Sequence, residues 1–145
     1  MPTATLPRAL TEIAVGQAMH PGVLTCPPET PLRDVARMMA RYRIHAVVVF
    51  SEDEEGEEQP AVWGVVSDAD LVAAAAVDHV DERSAGGTAR TPAVTVAADD
   101  TVARAARLMS REGVTHLVVV SPSGGRPVGV VSTLDVASAI AGGAE

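Results

Sequence analysis

Apolar and polar positions fall into one pattern that runs along the chain twice. Leu32, Val35, Ala36 and Met39 recur at helical spacing, and Val102, Ala105, Ala106 and Met109 repeat them seventy positions later. Each set predicts a helix with one buried face. Arg37, Arg41, Arg107 and Arg111 lie on or beside the opposite faces. Thr30 before Pro31 reads as an N-cap with proline at the first helical position, and Asp100 before Thr101 as its equivalent. A short β-branched run follows each helix, Ala46–Phe50 and Leu117–Val120. Continuous runs of this kind predict buried strands. Further strands are predicted at Val62–Val66 and Val128–Val131, and shorter ones at Val23–Thr25 and Ala93–Thr95. Closing helices run from Asp70 to about Val80 and from Asp135 to about Ala141.

The unit is therefore strand, helix, strand, strand, helix, present in tandem. This predicts an α+β fold built from two α/β-type repeats. The division expected is an N-terminal segment 1–14, a first repeat 15–80, a linker 81–87 and a second repeat 88–145. The offset between copies drops from seventy to sixty-five between the two β runs of each unit, so the first copy carries extra residues there. They fall around 52–58, where Glu52, Asp53, Glu54, Glu55, Glu57 and Glu58 repel one another and predict a solvated hairpin loop.

Composition narrows the function. The chain has 145 residues, 47% of them hydrophobic, but only Tyr42, Phe50 and Trp63 are aromatic. A ligand base would have to sit between aliphatic side chains. The formal charge of -8 argues against a sequence-independent grip on nucleic acid and against an anionic membrane surface. The single cysteine, Cys26, rules out an internal disulfide and fits a reducing compartment. No apolar run nears the ~20 residues that span a bilayer, so a cytoplasmic protein is expected.

The most informative motif closes each repeat. Gly64-Val65-Val66-Ser67-Asp68-Ala69-Asp70 returns as Gly129-Val130-Val131-Ser132-Thr133-Leu134-Asp135. An ionised carboxylate is an acceptor with two oxygens and can take a hydrogen bond from each hydroxyl of a vicinal diol. Ser67 and Ser132 sit where a strand hands over to a helix, whose start offers N–H groups and a positive dipole end to an anion. The bland alternative is a capping box, with Ser capping the helix and Asp three residues on capping back. Both readings stay open for the serines.

A β-α-β-β-α unit repeated in tandem and ending in Gly-Val-Val-Ser-x-x-Asp resembles the CBS domain, and two in one chain resemble the CBS pair, or Bateman module. The resemblance spans roughly Val15 to Ala141, as in stand-alone bacterial CBS-pair proteins. It implies two repeats packed about a pseudo-twofold axis, leaving clefts that hold AMP, ADP, ATP or S-adenosylmethionine. It also implies that Asp70 and Asp135 hold ribose hydroxyls and that Ser67 and Ser132 meet ribose or phosphate.

Further residues follow from the same resemblance. Ile44-His45-Ala46 is similar to the Ile-His-Arg stretch of the gamma subunit of AMP-activated kinase, whose histidine contacts nucleotide phosphate. Here Ala46 replaces the arginine; in the second copy Thr115 aligns with His45, and His116 falls at the arginine position. The phosphate grip is therefore expected to be weaker or differently built. Gln17 and Thr88, set against each other with a one-residue slip downstream, are candidate contacts from the entry segments, or else ordinary helix-start residues. His20, Cys26, His45, His79 and His116 show no metal-ligand spacing, so no metal is expected.

No activated nucleophile with a paired base can be named, so catalysis is not expected. The expectation is a regulatory module that senses an adenosine-containing ligand, needs no resident cofactor, forms a homodimer and acts on an unidentified protein partner. The alternative is a dimeric interaction protein that binds no nucleotide.

Overall fold

The computed structural model describes residues 10–51, 61–123 and 125–142. The acidic stretch 52–58 thus lies outside the described residues. The elements are α1 (Val15–Ala18), β1 (His20–Pro21), β2 (Thr25–Cys26), α2 (Leu32–Tyr42), β3 (Ala46–Ser51), β4 (Ala61–Ser67) and α3 (Asp68–Ala76). A 3-10 turn (Val80–Glu82) leads to α4 (Ala85–Thr88), β5 (Thr95–Ala97), α5 (Val102–Glu112), β6 (His116–Val120), β7 (Pro127–Ser132) and α6 (Thr133–Ile140). The mixed α/β repeat is as read from the sequence.

Two compact units form, and their division differs from the order of the repeats. One contains the described residues up to Val23 together with those from Val94 onward; the other contains those between Leu24 and Ala93. The first has a four-stranded sheet in the order β1-β7-β6-β5, the second a three-stranded sheet, β2-β3-β4. In each, a parallel pair is linked by the long helix and an antiparallel hairpin follows.

The entry segments are exchanged. The stretch that opens the first repeat belongs to the unit of the second: Val15 N–H donates to the Asp100 carbonyl (2.7 Å), Gly16 N–H to Ala98 (2.8 Å) and Gly22 N–H to Val128 (2.8 Å). The stretch that leads into and opens the second repeat belongs to the unit of the first: Ala85 N–H donates to Thr30 (2.7 Å), Gly86 N–H to Pro28 (2.7 Å) and Arg90 N–H to Val65 (2.9 Å).

Gly16 and Gly86 fix the register here. A Cβ at Gly16 would lie 3.2 Å from the Ala98 carbonyl oxygen, and one at Gly86 only 2.8 Å from Pro28 Cβ. The offset is thus seventy without a slip, which corrects the sequence pairing: Gln17 corresponds to Gly87, and Thr88 to Ala18.

Each unit has its own core. Leu32, Val35 and Met39 of α2 pack with Cys26, Val47, Val49 and Val66. Ala105, Leu108 and Met109 of α5 pack with Val15, Val96, Leu117, Val119 and Val131. Val48 and Val118 project from the other face of their strands and are also fully buried. Burial on both faces is why these strands read as unbroken apolar runs rather than alternating ones.

Several boundaries move. The cap of α2 is Pro31 and that of α5 is Thr101, whose hydroxyl accepts from Arg104 N–H at 3.1 Å. Thr30 and Asp100 are displaced as caps because other groups claim them. The Thr30 side chain hydrogen-bonds with Cys26, and the Asp100 carboxylate takes Ala97 N–H at 3.2 Å. The short strands pair two residues later than expected, at Thr25–Cys26 and Thr95–Ala97. The closing helices begin at Asp68 and Thr133, two residues earlier than expected, because the Ser-x-x-Asp motif is itself their first turn.

Candidate functional site

Each hairpin carries the same irregularity just ahead of its motif. The β3–β4 register shifts between Val49 and Phe50, and the β6–β7 register between Val119 and Val120. Beside each shift is a glycine with no room for a side chain. A Cβ at Gly64 would lie 2.8 Å from the Arg90 carbonyl oxygen, and one at Gly129 2.5 Å from that of His20. The bulge and the glycine let an exchanged segment lie against the strand that leads into the motif.

At the strand end the capping box forms in both copies. Ser67 Oγ accepts from Asp70 N–H at 3.3 Å, while Asp70 Oδ2 accepts from Ser67 N–H at 2.8 Å and from its hydroxyl at 3.1 Å. The second corner repeats this at 3.2, 2.8 and 3.1 Å with Ser132 and Asp135. The structural reading of the motif is therefore correct, and it constrains any functional one. Oδ2 is spent on the cap; Oδ1 is the oxygen a ligand could use.

The helix starts are less open than the sequence suggests. Asp68 N–H donates to the His45 carbonyl at 2.9 Å, and Thr133 N–H to the Thr115 carbonyl at 3.0 Å. With Asp70 N–H and Asp135 N–H held by the serines, two of the first three donors of each helix are used internally. This leaves a narrow seat for an anion.

The neighbours differ between corners. His45 Nδ1 lies 2.9 Å from Asp68 Oδ2, with both side chains more than half exposed. A carboxylate beside the ring opposes a phosphate there. The second corner has uncharged Thr133 at that position, and His116 Nδ1 lies 2.9 Å from Thr115 Oγ1. His116 is also the cross-strand partner of Ser132. Ser67, Asp70 and His45 thus meet in one unit, and Ser132, Asp135, Thr115 and His116 in the other.

Gln17 is exposed, and its side-chain carbonyl accepts Ala14 N–H at 3.1 Å, which caps its own short helix. Thr88 belongs to the same unit as Asp70. Its Oγ1 is shielded from solvent and has no hydrogen-bond partner among the described residues. An unsatisfied buried hydroxyl costs about 1–3 kcal/mol, so Thr88 has hydrogen-bonding capacity still to spend.

One residue the sequence treated only as a possible metal ligand belongs to a corner. His20 Nδ1 lies 3.3 Å from Asp135 Oδ1, although His20 lies near the start of the first repeat and Asp135 in the closing helix of the second. The signal was there: the spacing of seventy sets His20 against Arg90, and these two residues bridge to β7 and β4 beside Gly129 and Gly64. Among the described residues no group of three or more His, Cys, Asp or Glu lies together as a metal site. No helix among them is long and apolar enough to cross a membrane.

Two mixed α/β units, each closing on a capped Ser-x-x-Asp corner, define a tandem repeat module. The family profile of the CBS domain matches residues 15–77 and again 86–142, and the chain belongs to that family. CBS domain proteins are regulatory modules, generally without catalytic activity.

Comparison with curated proteins found no match. Among solved structures, the chain is similar to a CBS domain protein from Pyrobaculum aerophilum complexed with AMP. The identity is 31%, over 85% of this chain and 89% of that one, with a TM-score of 0.70. It is also similar to the CBS domain of a bacterial CNNM/CorC family Mg2+ transporter in complex with ATP, at 20% identity over 97% and 98% of the chains and a TM-score of 0.73. A CBS-domain protein from Agrobacterium tumefaciens matches at 24% identity, over 88% and 95%, with a TM-score of 0.72.

Proposed function

We propose that this protein is a non-enzymatic cytoplasmic regulator that binds an adenosine-containing ligand at one or both Ser-x-x-Asp corners. The observation that carries the reading is Asp70. Its carboxylate is held by two hydrogen bonds to Oδ2, while Oδ1 has no hydrogen bond or ion pair among the described residues. A pre-oriented, charged acceptor pays little entropy to take the hydroxyls of a ribose. The 31% identical Pyrobaculum aerophilum protein complexed with AMP supports adenosine as the ligand class, as does the ATP complex of the transporter domain.

In this reading Asp70 and Asp135 take ribose hydroxyls and Ser67 and Ser132 hold them in place. His45, Thr115 and His116 border the phosphate side. Thr88 offers its unspent hydroxyl, and Gln17 contributes least because its side chain is already used. Asp68 beside His45, the narrow helix seats and the net charge of -8 all disfavour a triphosphate. AMP and S-adenosylmethionine are therefore preferred to ATP.

A second reading, an interaction protein without a nucleotide, is favoured by one observation. Val72 (68% exposed), Leu134 (67%), Val77 and Ile140 leave apolar surface on or just after the closing helices. That surface suits a homodimer under either reading.

A thermal-shift and calorimetry panel with AMP, ADP, ATP, S-adenosylmethionine and NAD decides between them. A ligand at a hundredfold excess over Kd stabilises the native state by about 2.7 kcal/mol, which raises Tm visibly. No shift with any adenosyl ligand leaves the interaction reading standing. A shift that survives combined Asp70→Ala and Asp135→Ala removes the ribose role.

A further inference from the structure

The two corners have the same cap but not the same free oxygen. At Asp70, Oδ1 has both lone-pair positions open among the described residues. At Asp135, Oδ1 already faces His20 Nδ1 at 3.3 Å, while Oδ2 is held by the Ser132 N–H and hydroxyl. The Asp135 side chain is only 9% exposed, whereas the His20 ring is 76% exposed. The contact is built into the fold. His20 lies on β1, pairs with Val130 of β7 and is pressed against Gly129, three residues before the Ser132 cap.

We infer that His20 is a positioning residue that occupies Asp135 Oδ1 and makes the second-repeat corner the weaker of the two for a ribose. The inference rests on the diol reading proposed above. A vicinal diol brings two donors. Asp70 can receive both on Oδ1, while Asp135 can receive both only if His20 gives way. The two sites of one chain therefore differ in affinity, and the difference lies in a residue outside the second repeat.

The test uses the full chain with Asp70→Ala, so that only the second corner remains, with and without His20→Ala. The probe is adenosine, which has the diol and no phosphate, titrated by calorimetry. His20→Ala should tighten adenosine binding about two- to fivefold and leave 2′-deoxyadenosine unchanged. His20→Val, checked for an unchanged melting temperature, guards against a loss of fold in the alanine variant and should tighten adenosine binding in the same way. The ring signal of His20 in NMR should shift when adenosine saturates the protein.

Unchanged or weaker binding, or an equal gain with the 2′-deoxy compound, overturns the role of His20 and leaves the sensor reading intact. Failure of the wild-type protein to bind adenosine ligands at all overturns both.

Discussion

Gly129→Ala tests the exchange of entry segments directly. Gly129 pairs with Pro21 of β1 on one side and Val119 of β6 on the other. An added Cβ would lie 2.5 Å from the His20 carbonyl oxygen and 2.5 Å from Met19 Sδ. The methionine can swing aside, but the carbonyl is backbone and yields only if β1 moves. Overpacking of this kind costs about 1–3 kcal/mol. Removing a strand glycine returns roughly 0.5–1 kcal/mol of backbone entropy. The net loss should be about 1–2 kcal/mol, or about 3–8 °C in Tm for a chain of this size. Differential scanning calorimetry reads the Tm, and amide exchange of Gly22, whose N–H donates to Val128 at 2.8 Å, reports whether β1 stays in place. Gly87→Ala is the control, because its Cβ would meet nothing nearer than Ser84 Oγ at 3.4 Å. That change should be neutral or stabilise by about 0.4–1 kcal/mol. A Gly129→Ala protein that melts like wild type with Gly22 still protected would refute the close approach of β1 to β7.

Other expectations follow from single contacts. Ser67→Ala and Ser132→Ala each remove an N-cap and should cost about 1 kcal/mol in urea unfolding, because the two caps have the same geometry; a large difference between them would count against equal caps. Leu32→Ala empties a fully buried position in the Leu24–Ala93 unit and should cost about 2–5 kcal/mol, and a smaller loss would mean the site collapses around the gap. Burial pushes the Cys26 thiol pKa up, against a hydrogen bond with Thr30 that lowers it. Native protein should therefore resist thiol reagents that label it at once when unfolded. The sign of the pH effect follows: the folded state favours the neutral thiol, so its stabilising contribution is present below the ordinary thiol range and is lost as the pH rises through the folded-state pKa. Cys26→Ala should remove that decline in an unfolding series run from neutral to alkaline pH.

What was legible in the sequence was whatever is local and repeated. The α2 and α5 stripes, the valine runs of β3 and β6 and the Ser-x-x-Asp turns each depend on neighbours within a few residues, and duplication made each pattern count twice. The caps were misplaced by one residue because the side chains of two good capping residues are used elsewhere, Thr30 by Cys26 and Asp100 by Ala97 N–H. The link between His20 and Asp135 spans most of the chain and carries no periodicity. Only the matching positions of His20 and Arg90, and the glycines they press on, hinted at it.

The exchange also explains why the repeat in sequence and the compact unit in space are different objects. A hairpin such as β6–β7 ends with an exposed edge, and an uncovered edge strand is a liability. In the unit of the second repeat that edge is covered by β1, and in the other unit the Arg90 segment bridges to Val65 at the matching place. Each unit thus takes its edge cover from the segment that opens the other copy. Duplication made two identical caps. Exchange put a histidine at one edge and an arginine at the other, so two corners with the same motif need not bind alike.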